Sequence, residues 1–453
     1  MAPPSGPLDD RLITRLWEQH GDTVNAMRYA LKAMEGDHPA SITISDDADD
    51  NVRLNLPRLI TDSQVQGLFG RPPEWQAAAE NVGAQLAEWR GDNANRWDLT
   101  CQALAENGAW SGMAFVKVDT SRGAPRLIAL DPLRWMAVTD PDDVDDTYAY
   151  VGRWPSLDAA GRRIWRRQIV ERLANGTWQI RDQVSREADR GYQDTATAEW
   201  GYPWSPVDHA QNLPAPNLCW GRPDLTRDII DLAYAVNRNV SNANKVSRLW
   251  AHPKIVGFGF DGASLTWGPD EMPVVSNPDA RIDVLTVSGD TQKITDLAAV
   301  LRGVLHLIAR TPDVGADKLE RVGALSGVAL QLLYGPAEGI FEQKHLTYGP
   351  LLERAQARIA ELNGWGDPGA WEVTWQDPIP VDKLAVAQAL QIWVSTLGLS
   401  KETALDEGGY DAEQEAKRKA DEAAVAAEQA AQLVAAGGLD NQPPASDGGN
   451  VSG

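Results

Sequence analysis

The side chains best able to ligate a metal or attack a carbonyl are few in this chain: six histidines and two cysteines. His20, His38, His209, His252, His306 and His345 never occur in HxH, HExxH or HxxxH spacing, so no zinc site is expected. Cys101 and Cys219 lie far apart and outside any CxxC pair, and read as free, structural thiols of a reducing compartment. There is no Gly-x-x-x-x-Gly-Lys-Ser/Thr loop to cradle a nucleotide. The nearest approach to a nucleophile elbow is "GALSG" at 323–327, which lacks the Gly-x-Ser-x-Gly spacing and a preceding strand; Ser326 suits a helix N-cap better. "DPDDVDD" at 140–146 has neither the sixth-position glycine nor the distal glutamate of an EF-hand, and it reads, like "SDDADD" at 45–50, as a solvated acidic turn. His306 sits beside the apolar face of its helix, where hydrogen-bonded packing suits it better than ligation. No enzyme constellation emerges, and no cofactor or metal is expected.

The chain is long enough, at 453 residues, for two or three ordinary domains or one elaborate one, and its 43% hydrophobic content can fill a sizeable core. No run of about 18 apolar residues occurs, so no membrane span is expected. The polar opening "MAPPSGPLDDRL" shows no signal-peptide core. With 64 acidic against 42 basic residues, the net charge of −22 argues against a tight grip on nucleic acid through phosphates, though not against a surface that DNA must slide past. The eighteen tryptophans are scattered from Trp17 to Trp393 and read as packing and interface anchors.

Periodicity predicts a helical segment over 11–33, an apolar segment ending before Pro72 and Pro73, and two helices within 74–111. Residues 112–200 switch to short β-rich runs, clearest in "RRQIVERL-ANG-TWQIRDQV", a hairpin around Asn-Gly. A long helix follows "NLCWGRP", with Pro223 at its first position, Asp224, Asp228 and Asp231 near its N-terminus, and an apolar face from Leu225 to Trp250. Short strands over 253–290 precede a second helix from Thr291 to about Ile308. A charged, glycine-bearing loop then leads at about Ser326 into a third long helical stretch reaching Leu362, which Gly335-Pro336 and Gly349-Pro350 are expected to kink or split. A strand-like "AWEVTWQDP", a helix over about 381–397, a capped turn at "LSKETAL" and an Ala/Glu-rich helix complete the ordered chain, with a tail of disordered composition from Gly437.

At "NLCWGRPDLTRDIIDLAYAVNRNVSNANKVSRLWAHPKIVGFG" the chain resembles the portal proteins of tailed double-stranded-DNA bacteriophages (the siphophage-type portal family). The matching positions are Gly221, Pro223, Asp224, Leu225, Tyr234, Asn237 and Ser241. A second match lies in "GALSGVALQLLYGPAEGIFEQKHLTYGPLL", at Ser326, Gly327, Ala329, Leu330, Lys344 and Tyr348. "LSKETAL" before an acidic C-terminal helix is similar too, so the resemblance spans roughly 10–430, carried by the order of short motifs.

The resemblance implies an α+β portal fold with long stem helices, a small β-rich clip, a mixed wing domain and a helical crown, assembled as a ring, commonly of twelve subunits. Carried over, 1–222 is the wing, 223–252 the first stem helix, 253–290 the clip, 291–310 the second stem helix, 311–325 the channel loop, 326–380 the channel helix with its return to the wing, 381–436 the crown and 437–453 the tail. The implied site residues are Asp313, Asp317, Lys318, Glu320 and Arg321 in the channel loop, and Ser326 and Gly327 at the start of the channel helix. In the clip they are Lys254, Asp261, Asp270, Glu271, Arg281 and Asp283, facing a partner. The clip has a net charge of −4 (Lys254 and Arg281 against Asp261, Asp270, Glu271, Asp279, Asp283 and Asp290), which predicts a basic partner surface. Implied partners are further copies of the chain, double-stranded DNA passing without sequence specificity, the terminase large subunit, the head–tail connector, and the major capsid protein and scaffold. The implied location is the portal vertex of the virion, after assembly in the bacterial cytoplasm. Another virion or prophage head protein, or a soluble hydrolase with an unrecognised site, are the alternatives.

Overall fold

The computed structural model describes residues 8–42, 49–187, 190–251, 254–258, 279, 281–285, 291–313, 327–376, 383–396, 398, 400–401, 403–404, 416–420 and 423. By contacts the chain divides into two units, one holding residues 1–325 and 330–378, the other 326–329 and 379–453.

In the first unit, α1 (Asp10–Gln19) opens on Asp9, whose carboxylate accepts the Leu12 N–H at 2.6 Å, and α2 (Gly21–Glu35) closes on left-handed Gly36. The single helical segment expected over 11–33 is therefore two helices, broken at His20. Asn55 caps α3 (Leu56–Phe69), which carries Pro57 in its first turn, where a missing N–H costs nothing. The start of the next expected helix is instead a strand, β1 (Glu74–Ala77), followed by α4 (Glu80–Gly91) and α5 (Trp97–Ser111). Long-range pairing overrides local propensity here: β1 runs antiparallel to β12 (Trp371–Thr374), with Trp75 opposite Val373.

Antiparallel sheets fill the next third of the chain, as the alternation predicts. A three-stranded sheet orders β3 (Arg126–Leu130), β2 (Met113–Asp119) and β9 (Val207–Gln211). A five-stranded meander follows chain order through β4 (Trp135–Thr139), β5 (Thr147–Leu157), β6 (Arg163–Arg172), β7 (Trp178–Ser185) and β8 (Gln193–Glu199). The β6–β7 loop contains the expected Asn175-Gly176, with Gly176 left-handed at φ 85° and its N–H donating to the Leu173 carbonyl.

Then α6 (Arg227–Ala251) leads to an antiparallel strand pair, β10 (Lys254–Phe258) and β11 (Arg281–Leu285), and α7 (Thr291–Ile308) returns along α6. The last helix of this part, α8 (Gly327–Leu362), runs unbroken through Pro336 and Pro350, contrary to the expected split. Each proline follows a glycine, which has no Cβ to clash with the proline ring, so the residue before it can stay helical.

Three clusters make up the core. One packs α1, α2, α6 and α7 on the meander, one gathers α3, α4, α5 and α8 over the three-stranded sheet, and one lies between the sheets around Phe115, Trp135 and Trp178. Many tryptophans are core anchors: Trp75 meets Trp97, Trp371 and Trp375 with ring centroids 6.0–6.3 Å apart. In the second unit, α9 (Lys383–Thr396) is followed by the expected capped turn, in which the Ser400 hydroxyl accepts the Thr403 N–H at 3.0 Å. The tail from 437 lies outside the described residues.

Candidate functional site

Three motif residues, Asp224, Lys344 and Tyr348, meet near the root of α6. Helix α6 begins at Arg227, so Pro223 and Asp224 precede it instead of opening it. The reason is local: the Asp224 and Leu225 N–H groups both donate to the Ala109 carbonyl, at 2.8 and 3.0 Å, tying this segment to the end of α5. Released from a role at the helix dipole, the Asp224 carboxylate pairs with Lys344 of α8 at 2.7 Å, and the ammonium also donates to Gln64 of α3 at 3.1 Å. Lys344 is 1% exposed, and burial pulls its pKa below the ordinary lysine value while Asp224 opposes the shift. Breaking such a pair by removing one partner is strongly destabilising. One turn on, the Tyr348 hydroxyl donates to Asn212 Oδ1 at 3.0 Å, and a side chain at Gly108 would overlap it.

Along α6 a polar stripe at i, i+4, i+7 and i+11 binds the backbone and side chains of residues 50–54. Asn237 accepts the Leu54 N–H at 3.0 Å and donates to its carbonyl at 3.2 Å. The Ser241 hydroxyl accepts the Val52 N–H at 2.9 Å, Asn244 donates to the Asp50 carbonyl at 3.1 Å, and Arg248 meets the Asp50 carboxylate at 2.6 Å. An extended segment outside any sheet thus has its backbone groups satisfied by a helix. The motif residues Asp224, Asn237, Ser241, Lys344 and Tyr348 are joinery. Their partners Gln64, Asn212 and residues 50–54 carry no signal in the sequence, because a polar stripe shows its period but not what it holds.

The other expected site residues are placed as follows. Asp313 is 9% exposed and lies 3.7 Å from Arg302 and 3.8 Å from His306, both on α7. His306 Nδ1 sits 3.0 Å from the Thr311 hydroxyl, the packing role expected of it. Gly327 is the first residue of α8, while Asp317, Lys318, Glu320, Arg321 and Ser326 lie outside the described residues. Lys254, Arg281 and Asp283 belong to the β10–β11 pair, with Arg281 opposite Phe258 and its guanidinium 4.8 Å from that ring; Asp261, Asp270 and Glu271 lie outside the described residues.

Among the described residues, an arrangement that resembles catalytic chemistry is in a polar cavity of about 820 Å³ bordered by β9 and α8. There Tyr150 lies 3.0 Å from His209 Nδ1, and Cys219 Sγ is 4.0 Å from Nε2. Burial pushes the Cys219 thiol up to about 11 and His209 down, the reverse of what a thiolate–imidazolium pair needs. Asp208 beside them is held below the usual carboxylate range against the cost of burial by Arg358 and Arg354, at 2.8 and 2.9 Å, and serves to join β9 to α8. Among the described residues, no group of three His, Cys, Asp or Glu side chains could hold a metal ion.

The fold thus runs from a helix leading out, through a strand pair and a returning helix, to a long helix anchored by buried polar joints. The family model described as "Phage portal protein, SPP1 Gp6-like" matches residues 10–429. The chain belongs to that family, which is structural and not enzymatic. It is similar to a chain of the solved "Virion of native gene transfer agent (GTA) particle", at 16% identity over 86% of this chain and 93% of that one, TM-score 0.42. A chain of the "Neck of native GTA particle computed with C12 symmetry" is similar at 14% identity over 78% and 89%, TM-score 0.42. A chain of the "Neck of empty GTA particle computed with C6 symmetry" is similar at 15% over 78% and 90%, with the same TM-score of 0.42. No curated protein matches the chain.

Proposed function

We propose that this portal protein assembles as a closed ring of about twelve copies at one capsid vertex of a virion, after synthesis in the bacterial cytoplasm, and that double-stranded DNA enters and leaves through its central channel. The observation that carries the reading is the α6–β10/β11–α7 arm. A 25-residue helix leads out and an 18-residue helix returns against it, with a small strand pair between them. At about 1.5 Å per residue the outgoing helix is roughly 37 Å long, enough for a protruding stalk. Repeated about an axis, such stalks pack side by side into a tube.

In this reading 1–222 is the wing, facing the major capsid protein and scaffold. Residues 223–252 and 291–310 are the stem, 253–290 the clip, 311–325 the channel loop, 326–380 the channel helix with its return to the wing, and 381–436 the crown. The clip docks the terminase large subunit during packaging and the head–tail connector afterwards. Its net charge of −4 selects a basic partner surface, so docking weakens as salt rises; salt-insensitive docking would count against that surface. The acidic balance of the whole chain, −22, keeps passing phosphates from sticking to the channel wall.

Within the loop, Lys318 and Arg321 make weak, transient phosphate contacts, and Asp313, Asp317 and Glu320 keep the loop from holding DNA. The test is a packaging assay with Lys318→Ala and Arg321→Ala together. The expected result is a lower fraction of DNA-filled particles or leakage after filling. Unchanged filling and retention would sink the phosphate contacts.

A further inference from the structure

Helix α7 has three distinct flanks. Leu305, and Ala309 just past the helix end, are buried in the core cluster that α7 shares with α6, with Leu301 half-buried beside them, and Ala298 is buried on the same side. A second flank carries Leu297, Val300, Val304 and Leu307, spaced three, four and three residues apart, with Ile308 beside them; all five are exposed, Leu307 by 70%. That spacing is the seam of a helix that expects another surface against it. The third flank, opposite the seam, carries Arg302 and His306 and walls a groove of about 610 Å³. Leu54, Leu59 and Ile60, from α3 and the segment before it, and Tyr334 and Phe341 from α8 supply its apolar lining, while Arg71, Asp313 and other polar side chains also border it. Leu54 and Leu59 are themselves exposed, by 41% and 52%.

We propose that the seam of α7 in one copy seats in the α3–α8 groove of a second copy, forming the head-to-tail contact of the assembly. The occupant follows from the arrangement within one chain. Ridge and groove lie on opposite flanks of the same rigid helix, so a chain cannot seat its own ridge in its own groove. Two copies related by a rotation can, and each contact leaves one ridge and one groove free at the ends, which only ring closure satisfies. Charge supports the same occupant. Between 297 and 308 the only ionisable side chains are Arg302 and His306, both on the groove side, in a chain that is 23% charged. Copies that each carry −22 repel one another, and a ridge without charge lets them meet with no like-charge pair at the contact. The inference rests on the portal reading only for the expectation of a closed ring; which surfaces meet comes from the exposed seam and the groove.

The test uses the full-length chain with Leu59→Cys and Leu307→Cys combined, each single variant, and wild type as the control for the native thiols. Under mild oxidation the double variant is expected to give a non-reducing gel ladder of covalent multimers, absent from both singles. A compact monomer-sized product would place the two positions together within one chain, and a dimer from Leu307→Cys alone would mean ridge against ridge; either overturns the proposal. A second variant, Leu307→Glu, is expected to keep its circular dichroism and thermal midpoint while shifting the balance of rings and monomers about tenfold or more toward monomer in mass photometry. Wild-type rings that persist with Leu307→Glu and give no ladder would overturn this contact and leave the portal reading standing. Absence of rings in wild type would remove both.

Discussion

Lys344 shows how a single residue can be legible as important and illegible in role. Its type and position in the motif pointed to a special place, but only the fold shows that the ammonium is buried between Asp224 and Gln64. Replacing Lys344 with Met should cost about 3–5 kcal/mol of stability, read as a lower urea midpoint, because Asp224 is left buried without its partner. Adding Asp224→Leu should recover most of that loss; a double variant as unstable as the single would mean the pair is not the cause. Two histidines make a separate prediction. His20 lies against Trp220 at 4.4 Å and His345 stacks on Trp375 at 4.1 Å, and burial holds both imidazoles down at about 4, against the ordinary 6.5. Below pH 6.5 the unfolded chain takes up protons that the folded chain refuses. Stability is therefore full above 6.5 and declines as pH falls toward 4. Thermal midpoints measured from pH 7 to 5 should fall, and His345→Phe should flatten the slope.

Among the elements, helices and strands with strong local signals were readable from periodicity, and those decided by distant partners were not. The β6–β7 hairpin and α7 stand where the pattern put them. Strand β1 was hidden because "EWQA" has no strand character until β12 pairs with it, nearly three hundred residues later. The start of α6 moved because the Ala109 carbonyl takes two N–H groups that a helix would otherwise leave to its cap. In the same way, the apolar face of α6 could be read in advance from Ile229 to Val240, though it does not extend to the exposed Trp250, while the segment 50–54 bound by its polar stripe could not. Asn237→Ala should remove both bonds to Leu54 and cost about 1–3 kcal/mol. Hydrogen exchange is the sensitive readout: the Val52 and Leu54 amides should exchange faster while the centre of α6 stays protected. Unchanged exchange at both would mean that packing alone holds the segment.

At the scale of the whole molecule, composition and the order of elements outweighed any single site. The chain falls in the portal family over 10–429, and its acidic balance and helix–strand pair–helix arm fit the proposed conduit. The parts expected to meet DNA and the packaging motor, the loop after Asp313 and most of the clip, are those whose roles depend on neighbours that one chain does not contain. Ring assembly can be read from negative-stain images of the purified full-length chain, with rotational analysis of end-on views. Closed rings with a central hole and one rotational symmetry are the expected result. A monodisperse monomer, or open filaments that never close, would contradict it.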